Sequence, residues 1–311
     1  MRVVILRREK ENVKAQEQEE NPPMSETIQR EQMRNILLRL AYDGTEFFGW
    51  QVQPARPTIQ GVLAAAFRRT CGEEVAVCGA GRTDAGVHAC EQAANVRLAA
   101  PIPCPNLVQA VNDHLPESIR MLSAQEVSPQ FHARRDARSK IYRYQIYREP
   151  VCPPWLSRYV CPVPYVLEEQ AMQQAAPYFE GTKDFRSFAS AEHSQDREQR
   201  SSVRTVFSSV VTREGANLTY TIEGNGFLHH MVRNIVGTLL LVGRNKIAPQ
   251  AIPEILAAAS RSAAGPTAPA RGLHLVRVFY PDELLRNPAL DNEGNPGRIQ
   301  EKIGPDADEV S

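Results

Sequence analysis

The sequence predicts an α+β protein. Two successive halves, each with the order β-α-β-β-α-β, lie side by side as one extended and mostly antiparallel sheet, with helices on one face and a central cleft along the junction. Two observations predict this. Stretches with strand-like alternation and stretches with helical spacing follow one another in the same order twice. The chain has 311 residues and is 42% hydrophobic, enough for a core of that size.

The first half is expected over 34–139. NILLRLAY (35–42) reads as a strand. Thr58 then caps a helix over 58–70, in which Ile59, Val62, Leu63, Ala66 and Phe67 recur at helical spacing. Strands follow near 74–80 and 92–98, then a helix over 105–115 bracketed by Pro105 and Pro116, and a strand near 119–127. The second half is expected over 140–280. KIYRYQIYR (140–148) is a strand and 168–180 a helix. VRTVFSSVVT (203–212) and NLTYTIEG (217–224) form a hairpin that turns at Glu214, Gly215 and Ala216. The apolar stretch 227–243 and the segment 250–260 read as helices, and HLVRVFY (274–280) closes the half. Each half thus follows the split β-α-β plan of ferredoxin-like and RNA-recognition modules.

Charge divides the chain further. Residues 1–33 carry 6 Lys/Arg and 7 Asp/Glu, and 281–311 carry 3 and 8, so that 34–280 carries 27 and 21. The ends read as a flexible N-terminal extension and a flexible acidic tail. The body between them is basic and suits a polyanionic partner. No apolar run approaches the ~20 residues of a membrane span. The start holds no signal-peptide core, and six Cys without a C-x-x-C spacing suit a reduced, cytoplasmic chain.

Three segments carry residues suited to chemistry. GAGRTDAGVHAC (79–90) sets Asp84 and Arg82 among three glycines between two strands. Read alone, Asp84 either bonds its own turn or is presented to a ligand that approaches the backbone closely. Neither a phosphate-loop nor a dinucleotide fingerprint fits. FHARRDARSKIYRY (131–144) sets five basic residues against Asp136. It is either a solvated strand edge or a ridge that tracks phosphates. Alternation then places Tyr142, Tyr144 and Ile146 on one face, and a tyrosine beside arginines suits a splayed nucleotide. In FLHHMVRNIVG (227–237), Arg233 sits in so apolar a helix that it either shares an exposed stripe with His229 or His230, or reaches an acid. Asp84 is the candidate acid.

Together, YDGTEFFGWQVQ (42–53), PTIQGVLAAAF (57–67), GAGRTDAGVHA (79–89), FHARRDARSKIYRY, FLHHMVRNIVG and PTAPARGL (266–273) resemble, in order, the TruA family of tRNA pseudouridine synthases. The resemblance implies Asp84 as the catalytic aspartate, Arg82 as a base-flipping arginine, and Tyr142 as the ring stacked on the flipped uridine. It implies Arg233 as the basic partner of Asp84. Phe131, His132, Ala133, Arg134 and Arg135 would contact RNA, and so would Gln199, Arg200, Ser201 and Ser202, although AEHSQDREQRS (191–201) is more charged than the family pattern. The implied substrate is the anticodon stem-loop of tRNA. A homodimer is implied, with no metal, no cofactor and no membrane. Two other readings remain at this point. A non-catalytic binder with two RNA-recognition-like modules would leave the Arg82–Asp84 loop without a purpose, and no strand has the aromatic motif of such modules. A zinc deaminase needs H-x-E and P-C-x-x-C, and both are missing.

Overall fold

The computed structural model describes residues 33–190 and 201–287. All but the last residue of the expected N-terminal extension, Gln199 and Arg200, and the tail beyond Asn287 lie outside them. The elements are β1 (Arg34–Tyr42), α1 (Ile59–Cys71), β2 (Cys78–Gly79), β3 (His88–Leu98), α2 (Cys104–Asn112) and β4 (Ile119–Glu126), followed by β5 (Ser139–Tyr147), α3 (Pro154–Ser157), β6 (Cys161–Pro162), α4 (Glu169–Ala175), β7 (Gly181–Asp184), β8 (Val203–Glu214), β9 (Asn217–Gly224), α5 (Met231–Gly243), α6 (Ile252–Ala257) and β10 (Leu273–Phe279).

Local chemistry sets the helix boundaries. Thr58 Oγ1 accepts the Gly61 N–H at the start of α1, and Gly72 in the left-handed region ends it by donating to Arg68 O. Ile59, Leu63, Ala66 and Phe67 face the core. The helix expected over 168–180 becomes α4 and then a 3-10 turn over Ala176–Phe179, because Pro177 supplies no donor for an α-helical bond. The helix expected from 227 starts only at Met231, because His230 takes a left-handed backbone (φ 60°). The strand expected near 74–80 shrinks to β2, and α3, β6 and β7 are short elements without a clear sequence signal.

The described strands form one sheet in the order β4-β1-β3-β10-β5-β9-β8-β7, with β2 added to β3 and β6 to β5. The two halves therefore share one internal order: β4-β1-β3-β2 in the first and β10-β5-β9-β8 in the second. They meet where β10 runs parallel to β3 through His274↔His88 and Leu275↔Ala89. Farther along, the same edge of β3 is taken by β2, at Asn95 and Ala94. The loop 80–87 lies where the edge changes hands. In β9, Leu218, Tyr220, Ile222 and Gly224 are buried while their neighbours are half-exposed, so this face of the second half is the covered one. Tyr142 and Tyr144 lie on it, opposite Ile222 and Tyr220.

The seam is held by two buried histidines whose rings stack at 4.8 Å. His88 Nδ1 accepts from Gly44 N–H, and its Nε2 donates to Arg158 O. His274 Nε2 donates to Tyr159 O. Burial pushes His274 down to about 4, while its bond to Tyr159 opposes the shift. Its folded value thus lies below its unfolded one, so the unfolded chain takes up the proton first as pH falls. Stability is full above about pH 6.5 and is expected to decline between there and about pH 4, by on the order of 3 kcal/mol at most. Denaturant titrations across this window check it, and His274→Gln should flatten the slope.

A second packing constraint joins α5 to the segment before β10. A Cβ at Gly237 would lie 1.6 Å from Pro266 O, so only glycine lets the segment cross the helix this closely. Gly237→Ala is expected to destabilise the protein by about 1–3 kcal/mol, measured by urea unfolding, with an unchanged m-value if the fold survives.

Candidate active site in the cleft between the halves

The loop 80–87 has little freedom, because its carbonyls are already engaged. Lys140 Nζ donates to Ala80 O at 2.8 Å and Gln92 Nε2 to Gly81 O at 3.1 Å. Trp50 N–H donates to Thr83 O at 3.0 Å, and Val87 N–H to Asp84 O at 3.2 Å. Tyr42 Oη bonds Thr83 Oγ1 at 2.9 Å. Gly49 (φ 87°) lets the segment before α1 close on the loop, since a Cβ there would meet Thr83 O at 2.6 Å. Asp84 therefore sits on a backbone fixed from both sides.

From the other half, α5 supplies the partner. Arg233 Nη1 donates to Asp84 Oδ2 at 2.8 Å, and its Nε donates to Ala268 O at 2.8 Å. Two different acceptors fix the plane of the guanidinium. The Ala268 carbonyl is in place because Gly237 admits the crossing segment. His230 Nε2 lies 3.3 Å from Asp84 Oδ2, and His229 Nε2 lies 3.8 Å from Oδ1. Burial holds His230 below its ordinary value, against the pull of Asp84. Its Nδ1 is tied to Ser190 Oγ at 2.9 Å.

Around Asp84 is a cleft of about 160 Å³ lined by Arg82, Arg134, Lys140, Tyr142, Phe227, His229, His230 and Arg233, among others. Three arginines and Lys140 thus face one carboxylate, a balance that suits a polyanion. The Tyr142 ring meets Phe227 edge-on, with centroids 5.1 Å apart. Burial, then the fields of Tyr42 and Asp84, push its hydroxyl upward, so it stays protonated. Arg82 Nε donates to Gln51 Oε1 at 3.2 Å, which holds it at the cleft rim.

Asp84, Arg82, Tyr142, Arg233 and Arg134 are therefore brought together. The stretch 131–135 divides. Phe131 and Ala133 are buried core residues, and Phe131 packs edge-on against Tyr280. Their side chains face inward, which leaves contact with a ligand to His132, Arg134 and Arg135. Ser201 and Ser202 sit at the foot of β8, where Ser201 O accepts from Arg204. Lys140, Phe227, His229 and His230 also belong to the cleft, and none of them is singled out as a site residue from the sequence. His230 takes a left-handed backbone just before α5, and both histidine rings lie beside Asp84. The ligand atoms of Asp84, His229 and His230 lie within 4.8 Å of one another, but Arg233 already occupies Oδ2 and opposes a cation there.

A sequence model described as tRNA pseudouridine synthase matches residues 40–136 and 175–281. The chain belongs to the TruA family of tRNA pseudouridine synthases. Its relatives include proteins called tRNA pseudouridine synthase A from Solibacter usitatus, 48% identical over 80% of this chain and all of that protein. Others come from Moorella thermoacetica, 47% identical over 79% of this chain and 99% of that protein, and Caldicellulosiruptor bescii, 44% identical over 80% of this chain and all of that protein. Family membership makes the chain an isomerase that acts on RNA and removes the passive-binder and deaminase readings. Among the described residues no helix is long and apolar enough to cross a membrane.

Arg233→Gln removes the full positive charge that faces Asp84 and keeps part of the side-chain volume. It is expected to lower single-turnover isomerisation about 10²-fold or more with a smaller change in tRNA affinity. Equal losses in both would count against the pair as part of the chemistry.

Proposed function

We propose that Asp84 is the catalytic carboxylate of a synthase that converts uridine to pseudouridine in the anticodon stem-loop of tRNA. The observation that carries the reading is the 2.8 Å contact of Asp84 with Arg233 in a cationic cleft beside Tyr142. The target nucleotide is flipped out of its stem-loop, at a cost of a few kcal/mol. Arg82 at the rim takes its place, and the base stacks on Tyr142. Asp84 then attacks C1′ or takes a proton from the sugar, and the N1–C1′ bond breaks. The uracil turns in the pocket and C5 bonds to C1′. C5 releases its proton and N1 gains one, so the reaction is an isomerisation.

His132, Arg134, Arg135, Gln199, Arg200, Ser201 and Ser202 hold the RNA outside the pocket in this reading. The parts 34–139 and 140–280 act as one unit, because each supplies half of the ion pair. We further propose a cytoplasmic homodimer. All six cysteines are free, and Val151, Trp155 and Val166 are largely exposed apolar side chains, a feature of surfaces that meet a partner.

The test is incubation with unmodified tRNA and mapping of pseudouridine by nucleotide. Conversion in the anticodon arm is expected, and Asp84→Asn should abolish it while tRNA binding is retained. Activity at full rate in that variant would end the assignment of Asp84, and modification confined to another arm would end the substrate claim.

A further inference from the structure

Lys140 has no part in the proposed reaction, yet it lies in the cleft. Strand alternation puts it on the same face of β5 as Tyr142, about 7 Å away along the strand, comparable with the span from a nucleotide's base to its own phosphate. Its ammonium has three donors, and one is used on Ala80 O. It makes no ion pair among the described residues. Its charged neighbours oppose it. Burial, then Arg134, then Arg204 push it down to about 8. Arg134 lines the same cleft. Arg204, on β8, donates to Ser201 O and Val203 O through Nη1 and lies against Gly226. Burial lowers it as well. Arg134 and Lys140 line one cleft, Arg204 lies beside Gly226, next in sequence to the cleft residue Phe227, and none of the three makes an ion pair among the described residues, so an arriving anion would relieve their mutual repulsion.

We propose that Lys140, flanked by Arg134 and Arg204, forms an anion subsite that takes the backbone phosphate adjoining the uridine presented to Asp84. A uracil carbonyl offers a hydrogen-bond acceptor without charge and would leave the three cations unbalanced. A phosphodiester supplies a full negative charge and two non-bridging oxygens that accept several charge-assisted bonds. The subsite also ties recognition to the chemistry. The lysine that meets the phosphate holds the Ala80 carbonyl of the loop that carries Asp84, so a correctly seated backbone and a correctly placed carboxylate share one side chain. This inference rests on the proposed function.

The experiment measures binding of unmodified tRNA to the full-length protein over a series of salt concentrations. Lys140→Met is expected to weaken binding about tenfold and to make the plot of log affinity against log salt shallower by about 0.7, the loss of one single-strand phosphate contact. Lys140→Arg should restore both. Arg204→Gln, which leaves the contact to Ala80 intact, should shift affinity and slope in the same direction by less. A stem-loop RNA with single neutral methylphosphonates around the target uridine locates the contact. One substitution should weaken the wild-type protein as much as Lys140→Met does, and the two changes together should weaken binding no more than either alone. An unchanged slope in Lys140→Met, losses that add at every methylphosphonate position, or a fall in kcat with affinity and slope intact would each overturn the phosphate assignment. Wild-type protein that fails to bind or modify tRNA would instead sink the functional reading itself.

Discussion

The structure turns on one ion pair between residues 149 positions apart. Asp84 comes from a loop of the first half and Arg233 from a helix of the second. Their charges are partly removed from water, with side-chain exposures of 23% and 15%. A single charge left in such a place is strongly unfavourable, so each half supplies what the other needs to carry its own charge. Much of the surrounding structure holds these two side chains in register. The loop carbonyls are engaged by Trp50, Gln92 and Lys140, and the guanidinium is engaged by Ala268.

The same geometry explains residues that touch no ligand. Gly237 lies a full helical turn from Arg233 and has no side chain, but it sets how near the crossing segment lies and thereby where Ala268 O points. The His88–His274 stack bridges the seam from which the loop emerges. These are packing features that connect through the backbone to the carboxylate and its partner.

Most of this fold was legible in the sequence because its elements are long and periodic. The β1, α1, β8, β9 and β10 segments alternate or repeat cleanly, and Thr58 and Gly72 mark the ends of α1. The pairing of Asp84 with Arg233 was legible for another reason, since an arginine in so apolar a helix needs an acid. What escaped was decided by single backbone angles and by tertiary contact. Nothing in the residue order shows that His230 adopts φ 60°, which starts α5 at Met231 where the periodicity extends the helix back to Phe227. Phe131 and Ala133 sit in a run of arginines and read as surface, yet Asn35 draws this stretch inward by donating to Phe131 O. The place of Lys140 depends on how β5 meets the loop after β2, a long-range contact with no local signature.

The strand at the centre of the sheet is also the last one in the described chain. Until β10 inserts, the edges of β3 and β5 that it will occupy stay open, and open edges invite pairing with other chains. Closure joins residues nearly two hundred positions apart, and a contact of that span carries a large loop-closure cost. A chain in which β10 has not inserted lacks the join between the halves, and its aspartate and arginine sit on parts that the sheet has not yet brought together.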